Sequence, residues 1–186
     1  MIFILQNIFN SVYLLIYMSI ISRFPSEAIK EIAQLCRKGR LREGNLRCPR
    51  FVIQEHHASH LHWDFRLEMN GVLKSWAIPK TPPRIKNIKR LAIQVEDHSL
   101  NYADFEGEIP KGQYGAGKVK IWDKGTYKLI DKDSNTPLAY PETSFKKMFT
   151  KGKIEFELFG KKLKGKYILI NAKLQGNKKN WLFMKI

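Results

Sequence analysis

From His60 to Glu68 the chain alternates without a break, with Leu61, Trp63, Phe65 and Leu67 at odd positions and His60, His62, Asp64, Arg66 and Glu68 at even ones. A strict period of two is the mark of a strand, whose successive side chains point to opposite faces, and it excludes a helix. One face of this strand is apolar and must lie on a core, so the chain is committed to a sheet with a buried side. A merely solvated second face would be built from Lys, Glu, Ser and Thr. This one carries imidazoles, carboxylates and a guanidinium, the groups that ligate metals and hold oxyanions.

Other short runs after residue 50 read the same way, separated by Gly, Pro, Asn and Asp. Candidate strands are Arg50 to Glu55, His60 to Glu68, Leu73 to Ala77, Arg90 to Glu96, Lys118 to Asp123, Gly125 to Asp131, Lys153 to Leu158, Gly165 to Asn171 and Trp181 to Lys185. Met69-Asn70-Gly71-Val72 is the clearest hairpin, because Asn-Gly favours the positive φ angles of a type I′ turn. Many short strands with such punctuation specify a mostly β fold, here a compact antiparallel β-barrel with a short N-terminal helix and a few helical turns. The helix is expected from Ser26 to Lys38, where Ala28, Ile29, Ile32, Leu35 and Cys36 form a stripe, Ser26 is the N-cap and Gly39 ends it. Lys146 to Lys153 and Lys161 to Lys166 are basic runs expected on a solvated or phosphate-facing surface.

Three segments follow: residues 1–22, a helix and basic loop over 23–49, and the barrel over 50–186. Met1 to Ser22 has no charged residue and is about the ~20 residues needed to cross a bilayer. Gln6, Asn7, Asn10 and Ser11 interrupt it, and it lacks the basic n-region of a secretory leader. It reads as a membrane anchor, as an amphipathic or buried helix, or as the product of a start set too early, with Met18 the true beginning. The last is preferred to the anchor, since a basic nucleic-acid protein has little need of a membrane.

The rest of the composition points to a partner. Lys and Arg total 33 against 17 Asp and Glu, a net charge of +16, which favours a polyanion such as nucleic acid over a membrane surface or an acidic protein. Cys36 and Cys48 have neither disulfide-framework nor zinc-type spacing, so two free thiols and a cytoplasmic location are expected.

His62 and Asp64 lie two apart on one strand face, so their heads converge, and His56 just upstream is in reach of the same ion. Two nitrogens and an oxygen in an open site suit Mn²⁺, Zn²⁺ or Fe²⁺. His57 and His60 are spare imidazoles, either of which is able to ligate instead, although surface or supporting roles suit them better. Arg66 is placed to hold a phosphate oxygen with its planar fork; the plain alternative is a salt bridge to Glu68 or Glu96. Near Glu96-Asp97-His98, His98 and Tyr102 offer further donors to a phosphate. The Gly-rich loop Pro110 to Gly117 matches no Walker motif and reads as a tight loop in preference to a phosphate cradle.

The runs FVIQEHHASHLHWDFRLEMNGVLKSWAIPKTPP and RLAIQVEDHSLNYADFEGEIPKGQYGAGKVKIWDKGTY, with the closing FELFGKKLKGKYILI and NWLFMKI, resemble the 3′-phosphoesterase module of bacterial end-joining DNA ligases (ligase D), which also occurs as a stand-alone protein. The resemblance covers about Arg50 to Ile186. It implies a β-barrel hydrolase with a polar groove that uses manganese to heal DNA 3′ ends. Such an enzyme removes a terminal ribonucleoside as a phosphodiesterase and the remaining 3′-phosphate as a phosphomonoesterase, leaving a 3′-hydroxyl. It also implies metal ligation by His56, His62 and Asp64, phosphate contact by Arg66, His98 and Tyr102, and a further acidic site residue at Glu96. The partners it implies are DNA or DNA–RNA 3′ ends at a primer-template, a DNA ligase and Ku-like proteins, with the chain acting as a monomer. The alternative function is a non-catalytic nucleic-acid-binding barrel that recruits a ligase. The front departs from the family pattern: where an Arg, an Asp and a Glu are expected before the first strand, this chain reads RKGRLREGNLRCPR, with only Arg40 and Glu43 as substitutes.

Overall fold

A computed structural model gives the fold, and it describes residues 49–130, 141–173 and 176–186. The expected N-terminal helix, the apolar segment 1–22, Arg40, Glu43 and both cysteines lie outside the described residues. The elements are β1 (Arg50–His57), β2 (Leu61–Met69), β3 (Val72–Ile78), β4 (Lys89–Gln94), β5 (His98–Ser99), a 3-10 helix (Leu100–Asp104), β6 (Gly107–Ile109), β7 (Gly117–Leu129), α1 (Pro141–Lys151), β8 (Lys153–Phe159), β9 (Lys164–Asn171) and β10 (Asn180–Lys185). The strands run β1-β2-β3-β4-β10-β9-β8-β7, and β7 pairs back onto β1, closing an antiparallel barrel of eight strands. Closure removes the unpaired edges that an open sheet would expose. The short strands β5 and β6 attach to β3 and β7.

Apolar residues at alternate positions fill the barrel. Phe65 stacks on Phe183 with centroids 4.8 Å apart and on Phe156 at 5.8 Å, and Trp76 meets Trp181 edge-on at 5.9 Å. Each fully buried ring contributes about 1.5–3 kcal/mol of transfer free energy, so this aromatic stack is the main stabilising element. The interior is therefore a packed core with no lumen for a ligand, and any site must lie outside the wall.

The hairpin forms as the Asn-Gly pair dictates. Asn70 and Gly71 take φ of 50° and 77°, and Met69 pairs with Val72. One other expectation is corrected. Lys118 to Asp123 and Gly125 to Leu129 form one continuous strand, β7, while Asp131 lies outside the described residues. The strand's alternation changes phase at a β-bulge, because Ile53 pairs with Asp123 and Gln54 with Ile121, leaving Trp122 as the extra residue. Gly125 marks a close approach and no turn, since a Cβ there would overlap the carbonyl of Phe159. The basic run Lys146 to Lys153 falls largely on α1. Phe145 is buried, and Phe149 stacks on Trp181 at 5.3 Å, while Lys146, Lys147 and Lys151 stay exposed.

Among the described residues no helix is long and apolar enough to cross a membrane.

Candidate active site

Directly opposed residues in an antiparallel pair share a face. The register of β1 against β2 sets His56 opposite His62, Gln54 opposite Asp64 and Val52 opposite Arg66, all on the outside of the barrel wall. That face is roofed by the segment from β5 to β6, with Val52, Leu73 and Ala103 forming a small buried cluster against Leu100, Tyr102 and Ile121. The roof explains why polar residues on an outer face are buried, among them Gln54, His56, Asp64, Arg66, Glu68 and Ser75.

The rings of His56 and His62 lie 4.7 Å apart. His56 Nδ1 is 3.5 Å from Asp64 Oδ2, and His62 Nε2 is 3.7 Å from Asp64 Oδ1. One ligand atom from each of the three residues lies within 4.8 Å of the other two. The far nitrogen of each ring meets a backbone carbonyl: His56 Nε2 that of Gly115 and His62 Nδ1 that of His60, both at 2.9 Å. A carbonyl only accepts, so the far nitrogen of each ring carries a proton. In the neutral rings the nitrogens facing Asp64 are lone pairs open to a cation, and in the protonated rings they carry a proton that Asp64 accepts. Imidazoles anchored to carbonyls on the side away from the ion are the usual outer support of a metal centre. The donor set fits a divalent transition metal. Burial opposes ionisation of Asp64, but its contact with His56 and the charges of Arg66 and His62 outweigh it, and the carboxyl sits below its ordinary value.

Arg66 is the hub beside this cluster. Its Nη2 donates to Asp64 Oδ2 at 3.0 Å, its Nε to Gln54 Oε1 at 2.8 Å, and its Nη1 to Ser75 Oγ at 2.8 Å and to His98 Nδ1 at 2.9 Å. Four of the five guanidinium hydrogens are thus spent on protein groups. The ion pair is with Asp64; Glu68 pairs instead with Arg50 at 3.3 Å, and Glu96 is bound by Tyr114. Gln54 completes the frame, its amide donating to the carbonyls of Tyr102 at 3.0 Å and Phe105 at 2.9 Å, which ties the roof to Arg66.

Tyr102 belongs to that roof, with the Arg66 guanidinium 4.9 Å from its ring centroid, His98 at 5.0 Å and Phe105 stacked at 4.9 Å. Burial raises the Tyr102 phenol above its ordinary value and lowers the His98 imidazole, which the Arg66 charge lowers further. His98 Nδ1 lies 2.9 Å from both Arg66 Nη1, a donor, and the Glu96 carbonyl, an acceptor, so the ring is held from two sides. Glu96 is exposed at the mouth, with its own backbone amide and the Tyr114 hydroxyl holding its carboxyl below the ordinary value.

The structure therefore brings His56, His62, Asp64, Arg66, His98 and Tyr102 together, with Glu96 at the rim. His57 is exposed and bound to Glu55 at 2.7 Å, and His60 serves through its carbonyl. The Gly-rich loop is a wall of the site whose Gly115 carbonyl orients His56. Sequence reasoning missed Gln54 and Ser75. Ser75 was within reach, because a two-residue turn that pairs Met69 with Val72 also pairs Arg66 with Ser75.

Fold and site together define an antiparallel β-barrel with a cluster of two histidines and one aspartate on the outside of its wall, abutting a buried guanidinium. Residues 54–171 match the family model described as the DNA Ligase D 3′-phosphoesterase domain, and the chain belongs to that family. It is 48% identical over 136 residues to the Pseudomonas aeruginosa multifunctional non-homologous end joining protein LigD, covering 73% of this chain and 15% of that protein. The Mycobacterium tuberculosis multifunctional non-homologous end joining DNA repair protein LigD is 48% identical over 132 residues, 71% of this chain and 15% of its own length. The Mycolicibacterium smegmatis LigD is 46% identical over 133 residues, 72% of this chain and 16% of its own length. The chain thus spans only about a sixth of the curated relatives it matches.

Proposed function

We propose that the chain is a manganese-dependent phosphoesterase that converts blocked DNA 3′ ends to 3′-hydroxyls, removing a terminal ribonucleoside as a diesterase and a 3′-phosphate as a monoesterase. The observation that carries this reading is the convergence of two imidazole nitrogens and the Asp64 carboxylate beside a buried guanidinium. Family membership and the +16 charge support a polyanionic substrate. His56, His62 and Asp64 would hold the manganese, which would supply Lewis acidity toward the phosphate oxygens. Arg66 orients Asp64 and directs its one remaining Nη2 hydrogen to a phosphoryl oxygen, acting as a single donor and no longer as a two-pronged fork. His98, whose imidazole burial and Arg66 hold below its ordinary value, contacts the phosphate from the other side. Tyr102 stays protonated because its phenol is raised, so it donates as well. Glu96 stands where the terminal sugar enters. A primer-template for repair, a DNA ligase and a Ku-like protein are the partners this reading implies, with the chain acting as a monomer in the cytoplasm.

The test is a 5′-labelled primer-template ending in one ribonucleotide or in a 3′-phosphate, incubated with and without Mn²⁺ and resolved on a sequencing gel. Manganese-dependent conversion of both ends to 3′-hydroxyl is expected. Loss of the 3′-phosphate alone would remove the diesterase step, in keeping with the altered sequence before residue 50. Binding without any conversion would overturn the enzyme reading in favour of a recruiting barrel.

A further inference from the structure

Tyr114 is the most exposed large hydrophobic residue described, with 86% of its surface open to solvent, yet it is not loosely placed. Its hydroxyl donates to Glu96 Oε2 at 3.2 Å, two residues before His98. Its chain neighbour, Gly115, holds the His56 ring through its carbonyl. The loop between these anchors is wound into two turns, with Gln113 N bonded to the Pro110 carbonyl at 3.2 Å and Ala116 N to the Gln113 carbonyl at 3.1 Å. Gly112 and Gly115 take φ of 89° and 76°, which residues with a Cβ seldom adopt. An aromatic ring thus stands in water, oriented by polar bonds at its tip and its backbone and not by packing. It sits at the rim where the metal side of the site, at His56, meets the phosphate side, at His98. No interior apolar contact accounts for it, and a flat aromatic partner would.

Resting on the phosphoesterase reading above, we infer that Tyr114 is the stacking platform for the base of the 3′-terminal nucleotide, a specificity residue that seats the end while the phosphate enters the site. Every base has a π face, so the platform favours ends that carry a base without choosing among sequences. Stacking of one base on one aromatic ring is worth on the order of a tenfold change in affinity.

The experiment uses the full chain as wild type, Tyr114→Leu and Tyr114→Trp. Each is given two primers with 3′-phosphate ends, one with a normal terminal nucleotide and one with an abasic terminus. A third primer carries 2-aminopurine at the terminal position, and its fluorescence is read on binding. Wild type is expected to prefer the base-bearing end by about tenfold in kcat/KM. Tyr114→Leu should erase that preference through KM, Tyr114→Trp should keep it, and wild type but not Tyr114→Leu should quench 2-aminopurine. Equal losses on both ends in Tyr114→Leu, or a preference it retains, would overturn the stacking role. If wild type turns over neither end, the phosphoesterase reading fails and the fluorescence decides the stacking alone: quenching lost in Tyr114→Leu upholds it, and no difference overturns it.

Discussion

Replacing Arg66 with lysine keeps the charge and removes the geometry. The guanidinium donates four hydrogen bonds to Asp64, Gln54, Ser75 and His98 from a position only 2% exposed. An ammonium has three donors on one atom and no planar fork. Held by its attraction to Asp64, it has no donor left where Nε was, and Gln54 Oε1, in a residue with 0% exposure, loses its partner. An unsatisfied buried acceptor costs about 1–3 kcal/mol, and the weakened contacts to Ser75 and His98 add to it. A loss of roughly 2–4 kcal/mol in a chain of this size lowers Tm by about 5–15 °C. Function suffers as well, because Gln54 links Arg66 to the roof carbonyls of Tyr102 and Phe105, and an untied roof misplaces His98 and Tyr102. Phosphate release should fall on the order of 10²-fold. Calorimetry with a 3′-phosphate release assay checks both. A lysine variant that melts and turns over like wild type would refute the claim that the fork organises the site.

Two further outcomes follow from the same structure. His98 is held below its ordinary value of 6.5 by burial and by Arg66, so the folded state resists its protonation. Its contribution to stability is present above pH 6.5 and is lost as pH falls from there through the depressed folded value. Denaturant unfolding from pH 7 to 5 should show this decline, and His98→Gln should flatten it; an unchanged slope would contradict the assignment. Asp123 accepts backbone N–H bonds from Lys124 at 3.0 Å, Lys161 at 2.9 Å, Lys162 at 3.1 Å and Leu163 at 2.7 Å, pinning the β8–β9 turn to β7. In Asp123→Asn the amide NH₂ must face donors, so a loss of about 2–4 kcal/mol is expected in chemical denaturation, with the site residues untouched.

Much of this was legible in the chain because the site lies on a regular strand. The alternation from Leu61 to Leu67 identified the face, the Asn-Gly turn fixed the register of β2 on β3, and six of the nine candidate strand segments fall wholly within the eight barrel strands while the other three overlap β2, β4 and β7. His62, Asp64 and Arg66 stood out because they share that face. What stayed hidden depends on contacts between distant segments. The pairing of β1 with β7 sets the bulge at Trp122, and no local pattern announces it. The helix α1 was masked by its lysines, although Phe145, Met148 and Phe149 have helical spacing. The turning of Arg66 inward, toward four protein partners, follows from a roof more than thirty residues away. The tautomers of His56 and His62 likewise rest on carbonyls whose positions only the fold supplies.

One rate comparison tests the metal site most directly: 3′-phosphate release from a labelled primer-template as a function of Mn²⁺, for wild type and His62→Ala side by side. The account predicts saturable manganese dependence in wild type, abolished by a chelator and restored by added metal, and a loss on the order of 10²-fold or more in His62→Ala. Wild-type activity that survives chelation, or full manganese-dependent activity in His62→Ala, would contradict it.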